Sequence, residues 1–171
     1  MRVFKDLEEL EAAVGEEIGP TEWVTITQQR VNRFAEATGD HQWIHVDRDR
    51  ASRSRFGTTI AHGYLTLALL PMLASQLFVI EHRGAKLNYG VNKVRFPAPV
   101  PVDSRIRATV TIAGVEPVSG GRRLTLDYVV SVDGQDKPAM IAQSVVVILD
   151  PENSDEVAVN ETTTGLHLVQ G

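Results

Sequence analysis

From Phe56 to Ile80 the chain carries no aspartate, glutamate, lysine or arginine. A run this long without charge is either a membrane span or an element enclosed by the rest of the protein. Its apolar part, residues 64–80, is interrupted by Thr66, Pro71, Ser75 and Gln76. A bilayer span needs about 20 predominantly apolar residues, and this stretch is shorter and more polar than that. It is apolar on every side, which predicts a helix buried within a sheet-wrapped core. Pro71 lies inside it, and an interior proline costs about 3 kcal/mol. A kink or break is expected there.

The remaining pattern supplies the wrapping. Residues 86–96, 104–115, 122–132 and 139–149 alternate in polarity or are β-branched throughout, and read as strands. Gly120-Gly121 and Asp133-Gly134 are hairpin turn signals. Pro97, Pro99 and Pro101 bracket a loop. Upstream, Phe4, Leu7, Leu10 and Val14 have helical spacing, ending near Gly15. Residues 23–26 read as a strand. Thr27 can cap a helix with Val31, Phe34, Ala35 and Thr38 on one face and Gly39 as its stop. Residues 40–47 are expected to form a loop or short strand. The order of helix, strand, helix, buried helix and four strands implies an α+β fold, an antiparallel sheet curled round one central helix.

The chain is 171 residues long, the size of one domain. It can bury about 70% of its unfolded surface. With 43% apolar and 23% charged residues, it is neither disordered, collagen-like nor a coiled coil. It has no cysteine, which excludes disulfides, thiol nucleophiles and Cys-ligated metals and suits a reducing cytoplasm. The first residues mix charges and lack the apolar core of a signal peptide. Residues 1–150 are expected to form the single domain and 151–171 a loosely held acidic tail, carrying Glu152, Asp155, Glu156 and Glu161. Without those four the body is nearly neutral, 17 basic residues against 18 acidic, so no nucleic-acid partner is indicated.

The richest chemistry lies in Gly39-Asp40-His41-Gln42-Trp43-Ile44-His45-Val46-Asp47. Asp40 and His45 are five residues apart, so a bent backbone can bring both to one water. A carboxyl and an imidazole can divide acid and base work. The plainer reading makes Asp40 a turn cap and His45 a surface residue. A second feature, Ala61-His62-Gly63, marks the start of the buried helix. Gly63 would present a bare N–H there as an oxyanion donor. The plainer reading takes Gly63 for close packing, and His62 for a cap or core partner.

Together these segments resemble the MaoC-like dehydratases, or (R)-specific enoyl-CoA hydratases, of the hot-dog fold. Residues 37–47 resemble the hydratase 2 signature, with Gln42-Trp43 where many members carry Asn-Pro. The Ala61-His62-Gly63 turn and the segment Lys93-Val94-Arg95-Phe96-Pro97-Ala98-Pro99-Val100 also resemble that family. The wording of residues 39–47 is similar to the nodulation protein N-like subgroup, and the resemblance spans roughly residues 15–150. It implies a hydro-lyase of fatty-acid metabolism, with Asp40 and His45 holding one water. His45 would be the base and Asp40 the acid in hydration of a trans-2-enoyl thioester, with Gly63 steadying the thioester oxygen. It implies a homodimer, no metal and no cofactor beyond the coenzyme A or phosphopantetheine of the substrate, and a possible acyl carrier protein partner.

Other residues are weaker candidates. Arg48, Arg50, Arg53 and Arg55 offer an electrostatic seat for phosphates, or simply a solvated face. His62, Trp43, Asn88 and Tyr89 are candidate substrate contacts. Asn88 and Tyr89 would line the acyl pocket or pack at a subunit boundary, and Trp43 would be a pocket wall or core residue. A metal held by His41, His45 and Asp47 is the less favoured reading. Two rival functions remain: a hot-dog thioesterase and a non-catalytic acyl-CoA-binding module. The thioesterase would draw a carboxylate from the central helix, and residues 64–80 contain none. Retention of both Asp40 and His45 counts against the binding module.

Overall fold

The computed structural model describes residues 1–153. In chain order the elements are β1 (Arg2–Phe4), α1 (Leu7–Ala12), β2 (Glu17–Ile18), β3 (Val24–Thr25), α2 (Gln28–Thr38), α3 (Trp43–Val46) and α4 (Arg48–Ser52). They continue with α5 (Gly63–Ala68), α6 (Leu70–Leu77), β4 (Phe78–Ile80), β5 (Lys86–Arg95), β6 (Arg105–Val118), β7 (Gly121–Val132) and β8 (Met140–Leu149). A single 3-10 turn at Pro151–Asn153 follows. Most of the acidic tail expected over 151–171 lies outside the described residues.

The four long strands form one antiparallel sheet in the order β6-β7-β8-β5, and β2 and β3 both pair with β6. Strict alternation on β7 turns Leu124, Leu126, Tyr128, Val130 and Val132 to one buried face. That face packs on Leu65, Leu70, Leu73 and Leu77 of α5 and α6 within one core. This is the hot-dog arrangement, a sheet wrapped round a central helical segment. No helix among the described residues is long and apolar enough to cross a membrane.

The charge-free run breaks as its proline requires. The helical segment is two short helices end to end, parted at Leu69, and Pro71 sits in the first turn of α6. There its missing N–H has no helical acceptor to lose. The run ends two ways: α6 stops at Leu77, and residues 78–80 form β4 instead of continuing the helix. β4 pairs in parallel with β1, Phe4 opposite Ile80.

Other boundaries also differ from expectation. Phe4 belongs to β1, because the Asp6 carboxylate accepts from Glu9 N (2.7 Å) and starts α1 beyond it. The strand expected over 23–26 narrows to Val24–Thr25. α2 matches its signals, with Thr27 accepting from Arg30 N and Gly39 closing the helix at φ 75°. A left-handed backbone suits glycine there.

β5 is the edge of the sheet. Its residues are exposed along almost its whole length, Leu87, Tyr89 and Val91 among them.

Candidate active site

Gly39 reverses the chain at the end of α2, and Asp40 follows it at once. Residues 40–47, expected as loop or strand, instead wind into the one-turn helix α3. His45 N bonds Gln42 O (2.9 Å) and Asp47 N bonds Trp43 O (3.0 Å). β-branched Ile44 and Val46 favour extended backbone in isolation. The helical turn wins because it carries His45 inward, to 6% exposure.

The segment before α5 is strapped on both sides. Ile60 N bonds Ile44 O (3.0 Å), Ala61 N bonds Val100 O (2.8 Å), and Val102 N bonds Thr59 O (2.8 Å). The Ile60 carbonyl is thereby held 2.7 Å from His45 Nδ1. A carbonyl only accepts, so Nδ1 carries the proton and Nε2 keeps its lone pair. Burial, above all, lowers the His45 pKa below the imidazole value of 6.5. The Ile60 carbonyl pulls the other way, the His62 ring adds to the lowering and Asp40 opposes it. His45 is therefore a neutral base near pH 7.

His62 stands at the N-cap position of α5 yet is a core partner and not a cap. Its side chain makes no capping bond to α5, and it is 2% exposed. Its ring stacks on that of His45, centroids 3.7 Å apart and planes 26° from parallel. His62 Nε2–H donates to the Asp40 carbonyl oxygen (2.9 Å) and lies 3.9 Å from the Asp40 carboxylate. His62 Nδ1 is buried without a partner among the described residues. One buried imidazole thus touches both halves of the expected acid–base pair.

Asp40 itself is half exposed, its Oδ1 accepting weakly from Gln42 N (3.4 Å). One ligand atom from each of Asp40, His45 and His62 lies within 4.8 Å of the others, a donor set that suits a divalent ion as well as a water. His41 and Asp47, the other ligands considered from sequence, point elsewhere. His41 faces Glu36 at 4.0 Å, and Asp47 caps α4 by accepting from Arg50 N.

Gly63 opens α5 directly after His62. A Cβ there would lie 2.9 Å from the Phe96 ring, so only a glycine lets this turn and β5's continuation approach so closely. The Gly63 N–H finds no backbone acceptor among the described residues. It is a donor available to a bound oxyanion.

An apolar cavity of about 680 Å³, whose wall on α5 begins at Leu67, four residues past Gly63, lies between α5–α6 and the sheet. Its walls include Leu67, Pro71, Ala74, Val91, Leu126 and Val146. Asn88 lines it, whereas Tyr89 does not; Tyr89 falls at a register shift between Asn88 and Gly90 and is 72% exposed. Trp43 is no cavity wall either. It is half-buried on α3 under the Arg50 guanidinium, 4.4 Å from the ring centroid.

Of the arginine run, Arg48 is tied to Gln28 Oε1 (3.3 Å) and lies 3.9 Å from Asp103, and Arg55 stands over Phe56. Arg53 is exposed at the end of α4. Gln28 is a residue that sequence reasoning missed. Its amide donates to the His45 carbonyl (2.7 Å) and accepts from buried Thr59, one residue before Ile60. Nothing in a Gln at the start of an amphipathic helix announces this.

A sheet wrapped round a broken helix, with an Asp–His pair poised at the helix start, places the chain among hot-dog proteins equipped for acid–base chemistry. The chain belongs to the MaoC-like family, and the MaoC like domain matches residues 9–133. It is 55% identical over 147 residues to 3-hydroxyacyl-thioester dehydratase Z of Mycobacterium tuberculosis, covering 85% of this chain and 97% of that protein. It is 39% identical over 152 residues to nodulation protein N of Rhizobium leguminosarum bv. viciae, covering 86% and 94%. Among solved structures, the (R)-hydratase from A. caviae involved in PHA biosynthesis matches with a TM-score of 0.64 at 22% identity. That match covers 79% of this chain and 96% of the other, and it bears on the fold alone.

Proposed function

We propose that the protein interconverts (R)-3-hydroxyacyl and trans-2-enoyl thioesters as a hydro-lyase of fatty-acid metabolism. The observation that carries this reading is His45. It is a neutral imidazole whose tautomer is set by the Ile60 carbonyl, within reach of the Asp40 carboxyl and beside a free N–H donor.

In hydration, His45 Nε2 takes a proton from water as its oxygen attacks Cβ. Asp40 is assigned the delivery of a proton to Cα from the same side, and the (R) alcohol results. Dehydration reverses both transfers, so the pair holds one exchangeable proton throughout. The Gly63 N–H meets the thioester oxygen as it gains negative charge, a contact worth about 3 kcal/mol in comparable sites. The acyl chain occupies the apolar cavity along α5–α6. The site draws on no resident cofactor or metal; coenzyme A or phosphopantetheine arrives with the substrate, from solution or on an acyl carrier protein. Arg53, exposed at the end of α4, is suited to their phosphates. A cysteine-free chain with this substrate belongs in the cytoplasm.

The working unit is a homodimer. The exposed edge of β5, with Leu87, Tyr89 and Val91 along it, supports this, since an uncovered edge strand invites pairing. The thioesterase alternative lacks support, because α5 and α6 supply no carboxylate.

The test is a spectrophotometric assay on trans-2-enoyl-CoAs of increasing length, with free thiol counted in the same tube. Loss of the conjugated thioester absorbance without thiol release is expected. Thiol release would make the protein a thioesterase. Wild-type rates in both Asp40→Asn and His45→Gln would remove the assigned pair.

A further inference from the structure

One polar group in the cavity is used by none of this. Tyr128 lies on β7, its side chain on the buried face between Leu126 and Val130, and it is 3% exposed. It lines the cavity, among walls that are otherwise mostly aliphatic. Burial raises the pKa of its phenol, and no hydrogen bond or neighbouring charge contributes to that shift. Its hydroxyl has no partner among the described residues, yet it is not sealed off like His62 Nδ1. A buried tyrosine hydroxyl normally finds a partner, and leaving one unmet is a standing cost. A phenylalanine would line the same wall without that cost.

The sheet register fixes how far Tyr128 lies from Gly63 along the strand direction. Tyr128 pairs with Ala142, and Ala142 pairs with Val94 of β5. Val94 is two residues before Phe96, the ring that packs against Gly63. Two strand residues span about 7 Å. A thioester held by its oxygen at Gly63 would pass the Tyr128 row several carbons beyond Cβ.

We propose that Tyr128 donates a hydrogen bond to an oxygen carried on the acyl chain beyond Cβ, so that the preferred substrates are thioesters with a hydroxy- or oxo-substituted chain. This rests on the hydratase reading above and narrows its substrate class. The phenol stays a neutral donor across the working pH range, because burial disfavours its ionised form. A site built to bond an oxygen discriminates against the chain that lacks it, since the donor is then left unpaired.

The experiment compares wild type with Tyr128→Phe on two sets of trans-2-enoyl-CoAs of one length. One set is a plain chain, and the other carries a hydroxyl at C5, C6 or C7. Wild type is expected to favour at least one hydroxylated chain by about tenfold or more in kcat/KM. In Tyr128→Phe that ratio should fall to about one, with Tm unchanged or raised. Hydration of the plain chain with no gain from any hydroxyl, or the same ratio in both proteins, overturns this inference and leaves the hydratase reading standing. Failure of wild type to hydrate every thioester overturns both.

Discussion

The imidazoles of His45 and His62 lie face to face, 3.7 Å between centroids, with Asp40 reached from the His62 ring at its carbonyl and at its carboxylate. Two rings so close cannot both carry a proton without strong repulsion, and His62 lowers the His45 pKa accordingly. The stack therefore favours the neutral form of His45 and fixes its ring orientation. In the proposed mechanism His62 acts as a positioning residue for Asp40 and His45, both of which it contacts.

Separating its two contacts gives a first prediction. His62→Phe keeps a ring on His45 and removes the orphaned Nδ1, but loses the donor to the Asp40 carbonyl. His62→Gln keeps a donor and loses the stack. Both should lower kcat by about tenfold to a hundredfold with little change in KM, because a misplaced catalytic group costs rate before binding. Steady-state kinetics across pH reads it. His62→Phe should keep the wild-type acid limb more nearly than His62→Gln. A KM rise with unchanged kcat would make His62 a binding residue instead.

The pH dependence follows from His45. Its pKa is lowered on folding, so the unfolded chain binds the proton more readily. By linkage, stability is fully present above the unfolded value of 6.5 and is lost as pH falls through the folded one. Tm should decline below pH 6.5, and His45→Gln should flatten that decline. The acid limb of kcat/KM should lie below pH 6.5 for the same reason. A limb above 6.5 would mean the base is another group.

Gln28 holds the backbone of His45 through its carbonyl. Gln28→Leu would leave the Thr59 hydroxyl and the His45 carbonyl without this partner. A stability loss of about 2 kcal/mol is expected in urea denaturation, together with reduced kcat. An unchanged midpoint would show that the amide is dispensable.

Gly63→Ala sets a methyl against the Phe96 ring, which is 40% exposed and can yield. The fold should survive with a small Tm change, while activity falls because the N–H moves off its oxyanion. Adding Phe96→Ala should restore part of the activity. If the double variant is no better than Gly63→Ala, crowding is not the cause.

Charge on the sheet edge tests the dimer. Leu87→Asp with Tyr89→Asp, both exposed on β5, should convert a dimer to monomer in sedimentation velocity. Wild type that is already monomeric at working concentration would remove the dimer from the reading.

Residues 56–80 contain enough information to be recognised as enclosed, because absence of charge and the position of Pro71 are local properties. The four long strands were equally legible, since period-two polarity reports a sheet with one buried face. The Asp40, His45 and Gly63 constellation could be read from residue types and spacing, helped by family likeness. Chain folding decided the rest. Residues 40–47 read as a loop or short strand, and 43–46 form a helical turn instead, because burying His45 outweighs the preference of Ile44 and Val46. That Ile60, His62 and Gln28 converge on His45, from fifteen and seventeen residues away along the chain, is a property of packing alone. So is the facing of Tyr128 onto a cavity. Local sequence determines which backbone shapes are cheap and which faces are apolar. Only the packed chain decides which polar groups are buried together, because burial is what makes each of them demand a partner.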